Sequence, residues 1–437
     1  MKKIILGIVA VLALVAIYFL VSPKVTSEIK ATVQKEIASL EQYGFGVKRE
    51  SLAADKDKYI LSFDDTKKIG ALVTAQTSQV SQEFIDDLAG MEVVAQIAYA
   101  QGVTNAVSAQ LYPHKLPTTL LENNATTPAW LNDMIEKKVV TMFVDVDKTL
   151  TNFKGGFKDI DYTIPEETPI DILLTGSSFK GKLKDMKIST IAHTLNHIKV
   201  AEKNATFEIK DVSIQGKTTG PNRYDTDQKG TIGKISFSDN EDQSAIHLTN
   251  LDFDSSTIVK NNLLQGGVAF NIEKLEIASA KDQGGFSGVA LDVTLENIDI
   301  DAIDTINNLQ ETNDNEAILA ASKRVLSSYP IVTIKNFSIK EIVDNNTTFK
   351  GLVSQGSLVV DKDVDIDKAF EGDMEAFAKL LDINAKLDFS KESLEFFGRN
   401  PSVGMMMMLF APKEEGESRI YTIRYYDGLT INGQKVF

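Results

Sequence analysis

Two aspartates set two residues apart at the end of an apolar strand can do chemistry. Phe143-Val144-Asp145-Val146-Asp147-Lys148-Thr149 has that form. Paired carboxylates can supply a nucleophile and a general acid. That chemistry needs a context of parallel strands alternating with helices, plus further motifs downstream. Leu173-Leu174-Thr175-Gly176-Ser177-Ser178 could pass for one of these. Residues 150–172, however, hold no helical pattern, and no fitting lysine or aspartate pair follows. The surrounding sequence predicts a β-hairpin with Asp145 and Asp147 on its solvent side.

Other reactive groups are sparse. The four histidines are His114, His193, His197 and His247. His193 and His197 would face one metal only on a helix. Their surroundings, AHTLNHIKV, read as strand, where residues four apart sit ~13 Å from each other. No G-x-S-x-G, Ser-His-Asp pattern or phosphate-cradling glycine loop is present. The pairs Gly155-Gly156, Gly266-Gly267 and Gly284-Gly285 read as turns. The chain has no cysteine. That removes disulfides, thiol nucleophiles, thiolate metal sites and c-type haem attachment together. The expectation is no catalytic set, no metal and no cofactor. Three segments match the acidic form of the glycosylation sequon, around Asn124, Asn204 and Asn346.

One stretch fixes where these residues must work. Lys2 and Lys3 precede an uncharged, almost wholly apolar run from Ile4 through Leu12 to Val21, closed by Ser22-Pro23-Lys24. As a helix it spans roughly 27 Å, enough for a bilayer's hydrocarbon core. The run is longer than a cleavable signal and lacks small residues at a cleavage point, so it reads as an uncleaved anchor. The paired lysines should stay in the cytoplasm, which puts the rest of the chain on the far side. The net charge of −15 offers no basic surface for nucleic acid. A hydrophobic fraction of 43% excludes a disordered stalk.

Residues 24–43 predict an amphipathic helix stopped by Gly44 and Gly46. A short strand at 59–63 and a helix at 78–89 follow, then a hairpin over 93–111 with one continuous helix as its competitor, and a helix starts at Thr127-Pro128. From Val139 to Ile300 the pattern is strongly β. The chain divides as an anchor (1–23), a membrane-proximal α+β region (24–137), a β-rich region (138–300) and a carboxy-terminal α+β region (301–437). In that last region helices are predicted to about Leu326, strands at 331–341 and 348–360, one helix over 366–381, and strands at 383–397. Asp427-Gly428 should turn a final hairpin.

A local pattern recurs with irregular spacing: apolar, any, polar, apolar, any, apolar. Its polar residues are Asp185, Asp211, Asn250, Lys274, Asn297 and Asn336. Ile246 and Leu248 share one face of a regular strand, whereas Leu251 and Phe253 share the other. A β-bulge at the polar residue would return all four to one core, or else the strand passes between two sheets. Asn400-Pro401-Ser402-Val403-Gly404-Met405-Met406-Met407-Met408-Leu409-Phe410 is the most apolar stretch after the anchor. It predicts a buried helix or strand. Its alternative is an adaptable surface for acyl chains or a partner, formed by Met405, Met406, Met407 and Met408.

The anchor, the kinked strands, the step LENIDIDAIDTINNLQ at 295–310 and the ending Gly428-Leu429-Thr430-Ile431-Asn432-Gly433 together resemble the YdgA-like family of bacterial envelope proteins. The resemblance implies an inner-membrane anchor, a periplasmic body and no catalytic residues to carry over. A broader likeness is to AsmA-type proteins, with an anchor and a long β body proposed to handle lipid. The D-x-D-x-T turn resembles that of haloacid-dehalogenase-like phosphatases. The expected fold is α+β and β-rich: an amino-terminal transmembrane helix, then long bent antiparallel sheets with packed helices. The expected role is non-enzymatic binding or structure in the envelope, with membrane and a lipid or envelope protein as partners. The alternatives are acyl-chain handling along an apolar sheet groove and hydrolysis at Asp145 and Asp147.

Overall fold

The computed structural model describes residues 29–74, 82–99, 105–117, 129–184, 187–309, 315–345, 347–371 and 373–436. The predicted anchor, with Ile4, Leu12 and Val21, lies outside them, as do Asn124, Asp185 and Asn346. Among the described residues no helix is long and apolar enough to cross a membrane. The chain forms two compact units, Met1–Lys203 with Lys210–Lys217, and Asn204–Ile209 with Thr218–Phe437. The division falls inside the β-rich 138–300 stretch.

In the first unit α1 (Ile29–Ser39) leads through a 3-10 turn, Leu40–Tyr43, into β1 (Phe45–Ala53) and β2 (Lys56–Phe63). Helices α2 (Thr66–Thr74) and α3 (Gln82–Asp86) precede β3 (Glu92–Tyr99) and β4 (Asn105–Lys115). Then come α4 (Ala129–Glu136), β5 (Met142–Asp147), β6 (Asn152–Phe157), β7 (Ile160–Ile164), β8 (Ile170–Thr175), β9 (Ser178–Lys184) and β10 (Lys187–Glu202). The strands β1 to β6 pair antiparallel in chain order. β6 then pairs β9, and β10 pairs β9 along one half and β8 along the other. The predicted hairpin over 93–111 is β3 with β4. The stop at Gly44 is real, because its φ of 95° would strain any residue with a Cβ. One face of α1 is docked rather than solvated: Ile37 joins Leu61, Ile69, Leu88, Ile97 and Leu131 in a single buried cluster.

A buried carboxylate ties α1 to this sheet. Asp57 on β2 has no solvent exposure. It accepts hydrogen bonds from Gln34 Nε2 of α1 (2.9 Å), Arg49 Nη2 of β1 (3.0 Å) and Tyr99 OH of β3 (3.0 Å). Burial alone would raise its pKa. The donors Gln34, Arg49 and Tyr99 outweigh that and hold it below the usual carboxylate value. Burial raises the pKa of Tyr99, and its neighbours Tyr59 and Asp57 reinforce the shift, so the phenol stays a donor.

β11 (Ala205–Thr218) divides between the units. The second unit continues with β12 (Thr226–Asp239), β13 (Ser244–Lys260), β14 (Leu263–Ala278), β15 (Gln283–Asp299), α5 (Ile300–Leu309), α6 (Asn315–Ser327), β16 (Ile331–Asp344) and β17 (Thr347–Val360). It closes with α7 (Ile366–Phe370), α8 (Met374–Lys379), β18 (Leu381–Ser390), α9 (Lys391–Gly398), α10 (Pro401–Leu409), β19 (Lys413–Glu415), β20 (Ser418–Tyr425), β21 (Leu429–Ile431) and β22 (Gln434–Lys435). Strands β12 to β18 and then β20 pair antiparallel in order. The β20–β21 hairpin turns at Asp427 and Gly428, both with positive φ, as predicted, and a further short hairpin, β21 with β22, turns at Asn432 and Gly433.

Several predicted elements differ. The pairs Gly155-Gly156, Gly266-Gly267 and Gly284-Gly285 lie inside β6, β14 and β15 and are not turns. The helix over 366–381 is two short helices, because Asp373 caps a new start by accepting from Glu375 N (2.9 Å) and Ala376 N (3.1 Å). The strand predicted to 397 ends at Ser390. That side chain accepts from Ser393 N (3.0 Å) and so caps α9.

The recurring pattern marks two different irregularities. Asp211, Asn250 and Asn297 adopt left-handed backbone, with φ of 55°, 48° and 59°. Asn336 sits where the β16 register with its neighbours shifts. Lys274 is an ordinary ladder residue. Between β12 and β17 the pairs at Gly233, Asn250, Glu273, Gly288, Lys340 and Gly351 are all missing from the ladders, although pairing resumes on both sides. This line is a crease running across six strands. Gly288, with φ of 58°, repeats on β15 what Asn250 does on β13.

Two outcomes are expected. Asn250→Val should cost about 1–2 kcal/mol in urea denaturation, from forcing a β-branched residue into left-handed backbone, whereas Asn250→Gly should stay within about 0.5 kcal/mol. Asp57→Ala should cost about 3 kcal/mol by leaving its donors unpaired. Because folding lowers the Asp57 pKa, its contribution is fully present above the ordinary carboxylate value and is lost as pH falls through the folded value. Asp57→Asn should therefore flatten the acid limb of the stability curve.

Candidate apolar binding face

The strand register within the second unit aligns apolar side chains into continuous rows. Ile235, Leu248, Leu275, Phe286, Ile342 and Phe349 face one another across β12 to β17. Beyond the crease, Ile232, Leu251, Ile272, Val289, Ile339, Leu352 and Phe389 form a second row reaching β18. Phe253, Phe270, Leu291 and Phe337 make a third. Two residues outward from the first row, Phe237, Ile246 and Ile277 form a short fourth. Strands stack at about 4.8 Å, so a six-strand row is roughly 24 Å long.

The crease decides what these rows do. Ile342 and Phe349 from the first row, Ile339, Leu352 and Phe389 from the second, and Phe337 from the third belong to one contact cluster. The irregularity thus returns both halves of a strand to a common core without the expected β-bulge, because each strand skips one residue and the register does not shift. Between the two main rows lies a polar one: Lys234, Thr249, Lys274, Ser287, Glu341 and Lys350.

The cover over this face is partial. Ser390 Oγ donates to Lys350 O (2.6 Å) and Ser393 Oγ to Gly351 O (2.9 Å), which pins the start of α9 on β17. Phe396 and Phe397 then pack on Phe349 and Phe389, with ring centroids 5.8 and 6.0 Å apart. Helices α5 and α6 reach β15. Among the described residues no helix makes more than marginal contact with β12, β13 or β14. There the rows stay half-exposed, and Phe237, Ile246 and Ile277 are 40%, 47% and 47% exposed. The uncovered part of these rows crosses three strands, about 10 Å, and is the candidate contact face.

Helix α10 borders the covered end. It is neither fully buried nor a strand. Met406, Met407 and Phe410 pack into the cluster under α9, whereas Met405, Met408 and Leu409 are 57%, 84% and 65% exposed. No residue of this helix is buried, so the expected burial is not met; one side is partly buried against the cluster and the other is exposed.

The aspartate motif is a hairpin, as its context predicted. β5 and β6 pair antiparallel. Asp147 accepts from Thr151 N (3.0 Å), Asn152 Nδ2 (2.6 Å) and Thr149 Oγ1 (2.9 Å), and so holds the turn. Burial raises its pKa, but the Asn152 and Thr149 donors prevail and hold it low. Asp145 accepts from Ser108 Oγ (2.6 Å). A surface cavity of about 500 Å³ in the same unit is lined by Trp130, Asp133, Lys137, Asp161 and Tyr162, and neither motif aspartate borders it. There Tyr162 OH is engaged by Asp133 (2.9 Å), and burial together with that carboxylate pushes its pKa up to about 12.

His193 and His197 share β10, and burial lowers the His193 pKa. No group of three or more potential metal ligands occurs among the described residues. Asn204 stands at the β10–β11 turn, and its Nδ2 donates to Glu241 (3.1 Å).

A family model described as a bacterial protein of unknown function (DUF945) matches residues 1–406. The chain belongs to this family. No curated protein and no solved structure matches the chain. Membership in DUF945 supplies no activity, so the functional reading rests on the geometry above.

Sequence reasoning singled out Met405 to Met408 and missed the rows, which exist only once the register is known. Gly288 inside an apolar strand pattern was the available signal for the crease. If Asp147 is a turn residue, Asp147→Ala should lower stability by about 1–3 kcal/mol in urea denaturation. Unchanged or higher stability would fit a strained reactive carboxylate instead.

Proposed function

We propose that this protein is a non-enzymatic binding protein of the bacterial envelope that holds acyl chains along the open apolar face of the strands of its second unit. One observation carries the reading: rows of apolar side chains cross six or more strands, and among the described residues no helix makes more than marginal contact with β12 to β14. In the same view Ile4–Val21 anchors the chain in the inner membrane and leaves the body in the periplasm, as the YdgA-like resemblance implies.

The dimensions suit such a ligand. The open part of the rows crosses three strands, about 10 Å, and each row continues under the α9 cover to roughly 24 Å, against about 15 Å for one leaflet of hydrocarbon. Each buried methylene contributes about 0.8 kcal/mol, so about ten of them supply roughly 8 kcal/mol before the costs of ordering the ligand. Binding by such a face needs no fixed polar partner, which fits the lack of a convergent polar site on these rows.

The test is mass spectrometry of lipids that co-purify with the full chain in mild detergent. Stoichiometric phospholipid or fatty acid is expected. Leu248→Asp with Leu275→Asp, at half-exposed positions of the first row, should reduce the bound lipid at least tenfold while circular dichroism keeps the β signature. A folded wild type that is lipid-free and takes up no fluorescent fatty acid would exclude the reading.

A further inference from the structure

Helix α10 carries apolar side chains on all sides, a pattern that normally belongs to a fully buried helix. Residues 400–411 include no charged side chain. The helix is well specified locally. Asn400 caps it by accepting from Ser402 N (3.0 Å), and Pro401 occupies the first turn. Gly404 lets it cross close to α9, since a Cβ there would lie 2.7 Å from Gly398 O. Its inner side already fills the cluster with Met406, Met407 and Phe410. The stripe formed by Met405, Met408 and Leu409, spaced three and four residues apart, adds nothing to that packing and stands in solvent.

We infer that α10 docks on a lipid surface, with Met405, Met408 and Leu409 entering the interface between headgroups and acyl chains. Several features favour lipid over a protein partner. The stripe offers no hydrogen-bonding side chain to give a protein partner specificity. Unbranched methionine side chains adapt to an irregular, fluid contact. The run is flanked by one cation at each end, Arg399 and Lys413, whose side chains are 68% and 71% exposed. They now pair with Asp344 and Glu415 at the surface. Exposed pairs of this kind are weak and can be exchanged for headgroup phosphates. The inner side of α10 is continuous with the apolar rows at β15 to β17. Docking would therefore open an unbroken apolar path from the bilayer to the sheet. That consequence rests on the acyl-chain reading, whereas the docking itself does not.

The native chain has no cysteine, so Met408→Cys creates a single labelling site. The full chain is labelled there with an environment-sensitive fluorophore and placed in vesicles of phosphatidylethanolamine and phosphatidylglycerol. Glu417→Cys, at an exposed turn of the same unit, serves as the reference. A several-fold higher emission at 408 than at 417 is expected, with strong quenching at 408 by lipids brominated in their acyl chains. Equal, water-like emission at both sites would overturn the inference. Lipid mass spectrometry on the detergent-purified labelled chain, before it is placed in vesicles, separates the two ideas. Bound lipid with a water-exposed 408 would leave the acyl-chain reading and remove the docking; a bilayer-embedded 408 with no bound lipid would do the reverse.

Discussion

An open antiparallel sheet must pair every interior backbone group while keeping its apolar side chains on a side where something can receive them. In the second unit these demands conflict, because strict alternation would send Leu248 and Leu251 to opposite faces. The crease at Gly233, Asn250, Glu273, Gly288, Lys340 and Gly351 resolves the conflict. It gives up one line of ladder pairs, places left-handed backbone at Asn250 and Gly288, and keeps the register on either side. The cluster under α9, which draws on both sides of the crease, depends on this exchange.

The two units are stabilised differently. The first has a dense core in which α1, α2, α3 and α4 cover a short-stranded sheet, with the Asp57 network fixing α1 to β1, β2 and β3. The second concentrates its buried residues at β16 to β18 and leaves long strands of 14 to 17 residues half-exposed at β12 to β15. There the ladder itself and cross-strand side-chain pairs hold the structure. A sheet built this way keeps apolar surface available without a cavity, so its site takes the form of a track.

Much of this was legible in the chain. The hairpin over 93–111, the helices near 303 and 320, the Asp427-Gly428 turn and the aspartate hairpin all follow from local pattern and turn chemistry. Other elements were misread where one side-chain interaction overrode periodicity. Ser390 capped a helix inside an apparent strand, and Asp373 divided an apparent helix. The six-residue pattern pointed to kinks at Asp211, Asn250 and Asn297, but it could not separate them from Lys274, which is regular.

The sequence by itself determined the β-rich composition, the apolar first segment, the absence of thiol chemistry and the polar positions at which strands bend, because these depend on residue type and nearest neighbours. Tertiary structure alone decided which apolar residues share a row, that the crease is continuous across six strands, and that Met405 and Met408 face outward while Met406 and Met407 face in. Those outcomes depend on register and on where α9 is pinned to β17. Register arises from pairing between segments far apart in the chain, and no local pattern encodes it.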